Sequence, residues 1–176
     1  MSTTETTARK GAVAALWTAG ALFAALAVAK IALYGDFTSA SGDGCRSERN
    51  PDWTAACEQF GPISWYGPYW LAVLAYAVFA ALFAAAAVKA SRDRPAARFA
   101  MAATILAIVL AVLPAVFDLG WRFAVATANE ADTWVAEYVR DAEPFWYGPV
   151  ETAALTLAAV AAILGTEWLR RITRLP

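Results

Sequence analysis

Histidine is absent from this sequence, and charged residues make up only 16% of it. Without His, the chain cannot use bis-His haem ligation, His-ligated zinc or copper, or His acid/base catalysis. Its hydrophobic share is 60%, whereas a soluble domain is typically about half apolar. The composition predicts an integral membrane protein, with no metal, no cofactor and no nucleic-acid partner.

Four segments are long and apolar enough to cross a bilayer, which takes about 20 helical residues. They lie at about 11–34, 69–88, 99–123 and 149–169. The first is too long for a signal peptide and is expected to stay as an anchor. We therefore predict an all-α fold, a polytopic four-transmembrane-helix bundle that forms a single membrane domain over residues 1–176.

Basic residues fall in three clusters, which the positive-inside rule places in the cytoplasm. These clusters are Arg9 and Lys10; Lys89, Arg92, Arg94 and Arg98; and Arg170, Arg171 and Arg174. The other two connections, at about 35–64 and 124–147, are acidic and should face outward. Both termini and the loop 89–98 are therefore expected on the cytoplasmic side of the plasma membrane.

The first outer loop contains the two cysteines of the chain, Cys45 and Cys57. Disulfides persist in an extracytoplasmic compartment, so we expect one structural disulfide here. Closing a loop of this size stabilises the fold by about 3 kcal/mol. A quinone-linked thiol oxidase would need a second cysteine pair, which the sequence lacks.

The motif Trp-Tyr-Gly-Pro occurs twice, at residues 65–68 and 146–149, before the second and fourth spans. This spacing predicts an internal repeat of two helices with the same orientation. The motif is typical of the interfacial aromatic belt and of a helix first turn. Its aromatic residues could instead form the walls of a ligand pocket. The aromatic residues expected at this depth are Tyr66, Tyr69, Trp70, Trp121, Trp146 and Tyr147.

Four ionisable residues should lie near the outer boundary of the hydrocarbon: Lys30, Asp118, Arg122 and Glu151. Each has an ordinary explanation, namely a snorkelling lysine, an i,i+4 pair, or an acid in a helix first turn. As a set facing the bundle interior, they form a candidate site. We expect Asp118 and Glu151 to face inward, with at least one paired to Arg122 or Lys30.

Residues 117–121 (Phe-Asp-Leu-Gly-Trp) and Val150-Glu151-Thr152 resemble two spans of the emopamil-binding-protein family (EXPERA domain). Residues 34–37 and 65–69 resemble two further spans of that family. The halves occur in swapped order, and the chain has Pro114 where the family's isomerases carry a His. The resemblance implies a four-span fold and a site for a sterol-like lipid.

Two classes of function are consistent with these features. In the first, a membrane protein with a lipid site rearranges an isoprenoid or sterol-like ligand, as an acid–base isomerase or cyclase. Its acid and base would be Asp118 and Glu151, with Asp36 as an alternative carboxylate. Its ligand pocket would be lined by the six aromatic residues named for the pocket hypothesis, together with Lys30 and Arg122. In the second, the chain is a non-catalytic tetraspan subunit or assembly factor that packs on a membrane-protein partner or on its own copies.

Overall fold

A computed structural model of the protein describes residues 3–41, 66–92, 96–109 and 144–173. Helix α1 is Thr3–Ser41, α2 is Tyr66–Ser91, and α4 is Tyr147–Thr173. Helix α3 is described over Ala97–Val109. The described secondary structure is therefore α-helical, which confirms the predicted all-α class.

Three of the helices are long and apolar enough to cross a membrane: Glu5–Asp36, Tyr69–Ser91 and Tyr147–Ile172. They contain the first, second and fourth predicted spans. The third predicted span begins in α3, and its part beyond Val109 lies outside the described residues. The predicted disulfide and most of both predicted outer loops also lie outside them.

Helix α1 extends beyond the predicted span at both ends. At its start, Glu5 and Arg9 lie one turn apart with their side chains 4.0 Å from each other, a spacing that supports a helix. At its end, it continues past Gly35 to Ser41. The chain has no proline before Pro51, so nothing in this stretch removes a backbone donor. Hydropathy marks the apolar part of a helix and does not mark where the helix stops.

Helices α2 and α4 both begin at the tyrosine of the repeated motif, Tyr66 and Tyr147. In each, the proline occupies the third helical position, where an amide N–H would have no partner within the helix. The two occurrences of the motif therefore have the same local role.

Helix α1 runs antiparallel to both α2 and α4 and packs between them. Near its start, Gly11 approaches the ring of Trp168; in its middle, Gly20 lies against Ala80 and Ala84 of α2. Towards its end, Lys30 meets Glu151 near the start of α4. Small residues let these backbones approach closely.

Alanines form most of the core, joined by a few large side chains. Phe23 of α1 packs on Phe79 and Phe83 of α2, with ring centroids 5.2 and 5.8 Å apart. Helix α3 joins the same core through Ala100, Ala103 and Ala107. Thr104 is hydrogen-bonded to Thr166 of α4 at 2.9 Å, which satisfies two buried hydroxyls.

The outward faces of the helices are also apolar. Exposed large hydrophobic residues occur on all four helices: Trp17, Val28, Ile31, Trp70, Leu71, Leu74, Val78, Met101, Ile105, Leu106, Val109, Val150, Leu157, Val160, Ile163 and Leu164. Helices that are apolar on every side are typical of a membrane environment. The polar contacts inside such a bundle therefore identify its candidate functional sites.

Candidate functional site

A polar cluster lies where the end of α1 meets the starts of α2 and α4. It consists of Lys30 from α1, Tyr69 and Tyr76 from α2, and Tyr147 and Glu151 from α4. We call these five residues the Lys30–Glu151 cluster. Because α1 is antiparallel to its two neighbours, residues from opposite ends of the sequence reach the same depth in the bundle.

Lys30 is only 8% exposed, although it carries a charge. Its ammonium lies 3.8 Å from Glu151 Oε1, which is an ion pair longer than a direct hydrogen bond. The same ammonium lies 5.0 Å from the ring centroid of Tyr69 and 4.9 Å from that of Tyr147. These distances are within the range of cation–π attraction. The lysine is therefore held by one carboxylate and two aromatic faces.

Glu151 accepts two tyrosine hydroxyls besides pairing with Lys30. Tyr76 donates to Oε1 at 2.6 Å, and Tyr147, one turn earlier on α4, donates to the same oxygen at 3.2 Å. Hydrogen bonds to a carboxylate are stronger than those between neutral groups. Three partners from three helices thus converge on one oxygen atom.

Tyr69 also contacts the backbone of α1 through its hydroxyl, which donates to the carbonyl of Lys30. Its ring packs against Tyr34, with centroids 5.6 Å apart, and Tyr34 in turn packs on Trp70 at 5.0 Å. The rings of Tyr34, Tyr69 and Trp70 therefore pack together beside the Lys30–Glu151 cluster, between α1 and α2.

The structure brings together four of the residues singled out from the sequence: Lys30, Tyr69, Tyr147 and Glu151. The expected pairing of an inward carboxylate with a basic residue is present between Glu151 and Lys30. Trp70 packs on Tyr34, and Trp146 packs edge-on against Tyr147 while remaining 47% exposed.

The other candidates are not seen in this cluster. Asp36 is exposed on α1, beyond Lys30 along the helix. Tyr66 is the first residue of α2, and its side chain lies outside the described residues. Asp118, Trp121, Arg122, Cys45 and Cys57 also lie outside them.

Sequence reasoning missed Tyr76, which makes the shortest contact to Glu151. A signal was present, because Tyr76 follows Tyr69 by seven residues and two helical turns bring such residues to one face. Its position deeper in an apolar span obscured it, since interfacial tyrosines were expected only near the helix starts.

Within the described helices, no group of three or more His, Cys, Asp or Glu side chains is placed to hold a metal ion. In comparisons with known proteins, no family model, no curated protein and no solved structure matches the chain. We therefore infer a function from the geometry of the Lys30–Glu151 cluster and from the distribution of charge.

Proposed function

We propose that this chain is a multi-pass protein of the plasma membrane that acts as a non-catalytic subunit or assembly factor of a membrane complex. The observation that carries this proposal is that Glu151 Oε1 accepts hydrogen bonds from Tyr76 and Tyr147 and forms an ion pair with Lys30. A carboxylate held in this way joins three helices. A proton donor to an alkene instead needs an O–H directed at its substrate.

Charge distribution supports the orientation within this proposal. The antiparallel packing gathers the described basic residues of the helix ends on the side of the bundle opposite Lys30. By the positive-inside rule that side is cytoplasmic. The Lys30–Glu151 cluster then lies towards the outer face. The acidic connections, which the sequence predicts on the same face, would receive a basic extracytoplasmic partner.

The apolar outer faces support a role in assembly. They present large side chains to the surroundings, and these contact either lipid or the helices of a partner. Lipid offers the same apolar contacts as a partner helix, so association in a membrane depends on close packing and on a few polar contacts. A bundle whose buried charge is paired internally and whose outer faces are apolar is suited to act as such a packing surface.

The experiment compares the unchanged chain with Lys30→Met/Glu151→Leu, which removes both charges together and keeps apolar bulk. Cross-linking in intact cells followed by native gel electrophoresis measures the mass of the complex. We expect the same cross-linked complex for both proteins, because the variant removes the charged pair and leaves unchanged the exposed apolar faces that would contact a partner. A monomer in both cases would contradict the proposal.

A second candidate function is the binding of an isoprenoid or sterol-like lipid, and one observation favours it. Tyr34, Tyr69 and Trp70 form a continuous aromatic surface beside a lysine, and Trp70 is 43% exposed. Such a surface suits the polar end of an apolar ligand. Lipid extraction of the purified proteins separates the two functions. An apolar lipid bound in stoichiometric amount to the unchanged chain, and lost in Lys30→Met/Glu151→Leu, would favour the lipid site.

A further inference from the structure

Basic side chains of all four helices gather at the end of the bundle opposite the Lys30–Glu151 cluster. Helices α1 and α3 start there, and α2 and α4 end there. One buried core residue from each helix marks this end: Ala12 of α1, Ala90 of α2, Ala96 directly before α3, and Leu169 of α4. The basic residues around them are Arg9, Lys10, Lys89, Arg92, Arg98, Arg170 and Arg171.

Two acidic residues lie at this end within the described helices, and basic neighbours engage both. Glu5 pairs with Arg9 at 4.0 Å. Glu167 pairs with Arg170 at 3.5 Å and with Arg171 at 3.6 Å. These two acids neutralise two of the seven basic charges, so most of the positive excess lies on Lys10, Lys89, Arg92 and Arg98, which are all exposed.

Three of these four residues flank the connection between α2 and α3. Lys89 lies over the ring of Phe99, 4.6 Å from its centroid, so a cation–π contact positions its ammonium beside the start of α3. Arg92 follows α2 by one residue, and Arg98 is the second residue of α3. We call Lys89, Arg92 and Arg98 the basic triad.

An apolar stripe begins directly at the basic triad. Met101, Ile105 and Val109 follow Arg98 at steps of three, seven and eleven residues, so they lie on one face of α3, and all three are exposed. A soluble anion would use the triad alone. A phospholipid would use both parts, with its phosphate at the triad and an acyl chain along the stripe.

We propose that the basic triad and this stripe bind an anionic phospholipid, whose phosphodiester headgroup meets Lys89, Arg92 and Arg98. This inference depends on the proposed membrane insertion and is independent of the partner-binding role. Basic residues near an anionic leaflet attract its lipids, and clusters of them between helices are typical headgroup sites.

The test uses the full chain in vesicles of phosphatidylcholine with a minor fraction of phosphatidylglycerol, followed by native mass spectrometry of the released protein. The unchanged chain should retain phosphatidylglycerol in excess of its share of the vesicle. Lys89→Gln/Arg92→Gln/Arg98→Gln should lower this enrichment by on the order of tenfold or more, because three attractive charges are removed. Circular dichroism checks that its helix content is unchanged.

The matched control is Glu5→Gln/Glu167→Gln, which also replaces charged side chains by Gln at this end of the bundle but raises its positive charge. This control should keep or increase the enrichment. Equal enrichment in the triad variant would overturn the proposal. So would loss of bound lipid upon addition of millimolar inorganic phosphate, which would indicate a site for free anions. Failure of the unchanged chain to insert into pure phosphatidylcholine vesicles would instead refute the proposed membrane function on which this inference rests.

Discussion

Lys30 and Glu151 are opposite charges placed in an apolar bundle, so each depends on the other for compensation. Removing one partner from a buried ion pair commonly costs on the order of 3 kcal/mol, because the remaining charge stays unpaired. Replacing both by apolar residues is often close to neutral. The pair is therefore expected to specify how the helices meet more than to add net stability.

Lys30→Met should accordingly lower the free energy of unfolding by on the order of 3 kcal/mol. Lys30→Met/Glu151→Leu should recover part of that loss, because it removes the unpaired charge but also takes the carboxylate acceptor away from the Tyr76 and Tyr147 hydroxyls. Thermal or denaturant unfolding of the purified protein in one detergent measures both. Lys10→Met is the control, since that lysine is exposed near the start of α1 and its change should alter stability by about 0.5 kcal/mol or less. Additive effects of the Lys30 and Glu151 changes would contradict the pairing.

Tyr76 contributes through its hydroxyl, which donates to Glu151 at 2.6 Å. Tyr76→Phe keeps the ring and removes the donor, so the free energy of unfolding should fall by about 1.5–3 kcal/mol. Tyr34→Phe is a matched control, because the Tyr34 ring packs on Tyr69 and Trp70 and the substitution keeps that ring. Unfolding curves in the same detergent should show the larger loss for Tyr76→Phe. A larger loss for Tyr34→Phe would show that aromatic packing dominates the cluster.

At the residue scale, the sequence predicted the depth of the charged residues in the bundle better than it predicted which of them pair. Counting residues from Lys10 placed Lys30 near the outer boundary, because helical rise is constant. Glu151 was placed near the same boundary by its position just inside the fourth predicted span. The sequence could not choose between Lys30 and Arg122 as the partner of a carboxylate, since that choice depends on how the helices are rotated. Rotation is set by packing, which the sequence of a span that is apolar on all sides hardly encodes.

At the scale of elements, two glycines lie where helices approach closely, and a third glycine offers a comparison. A Cβ on Gly20 would lie 3.3 Å from the backbone oxygen of Ala80, and one on Gly165 would lie 3.0 Å from Leu16 Cγ. Around Gly148, near the start of α4, no heavy atom of the described neighbourhood lies within 4 Å of such a Cβ. The same residue type therefore serves close packing at two positions and faces open space at the third.

Gly20→Leu and Gly165→Leu should each destabilise the bundle by about 1–3 kcal/mol, because the added side chain forces two helices apart. Gly148→Leu, in the same type of helix but with open space around it, should have a much smaller effect. Thermal unfolding in detergent measures all three. An equal loss at Gly148 would mean that helix propensity, not helix contact, controls the result.

The existence and type of the helices could be predicted because long apolar runs leave few alternatives in a bilayer. The extents of α1 could not, since its ends contain polar residues that a hydropathy criterion assigns to loops. The repeated Trp-Tyr-Gly-Pro motif located the starts of α2 and α4 through its proline, whose fixed backbone angle suits a first turn. Local chemistry predicted helix starts better than hydropathy predicted helix ends.

At the scale of the whole molecule, the antiparallel arrangement gives the bundle two ends of different charge and chemistry. The Lys30–Glu151 cluster lies at one end, and the other basic residues of the described helices lie at the opposite end. Our account places the first end towards the outside of the cell and the second in the cytoplasm. Both the proposed partner-binding role and the proposed lipid site depend on this placement.

Cysteine labelling of two positions in intact cells tests this central claim most directly. Phe145 is 93% exposed just before α4, and Ser91 is exposed at the last residue of α2. A membrane-impermeant maleimide should label Phe145→Cys in intact cells and should label Ser91→Cys only after permeabilisation, with the unchanged chain as background. Labelling of Ser91→Cys from outside, or the same accessibility at both positions, would contradict the account.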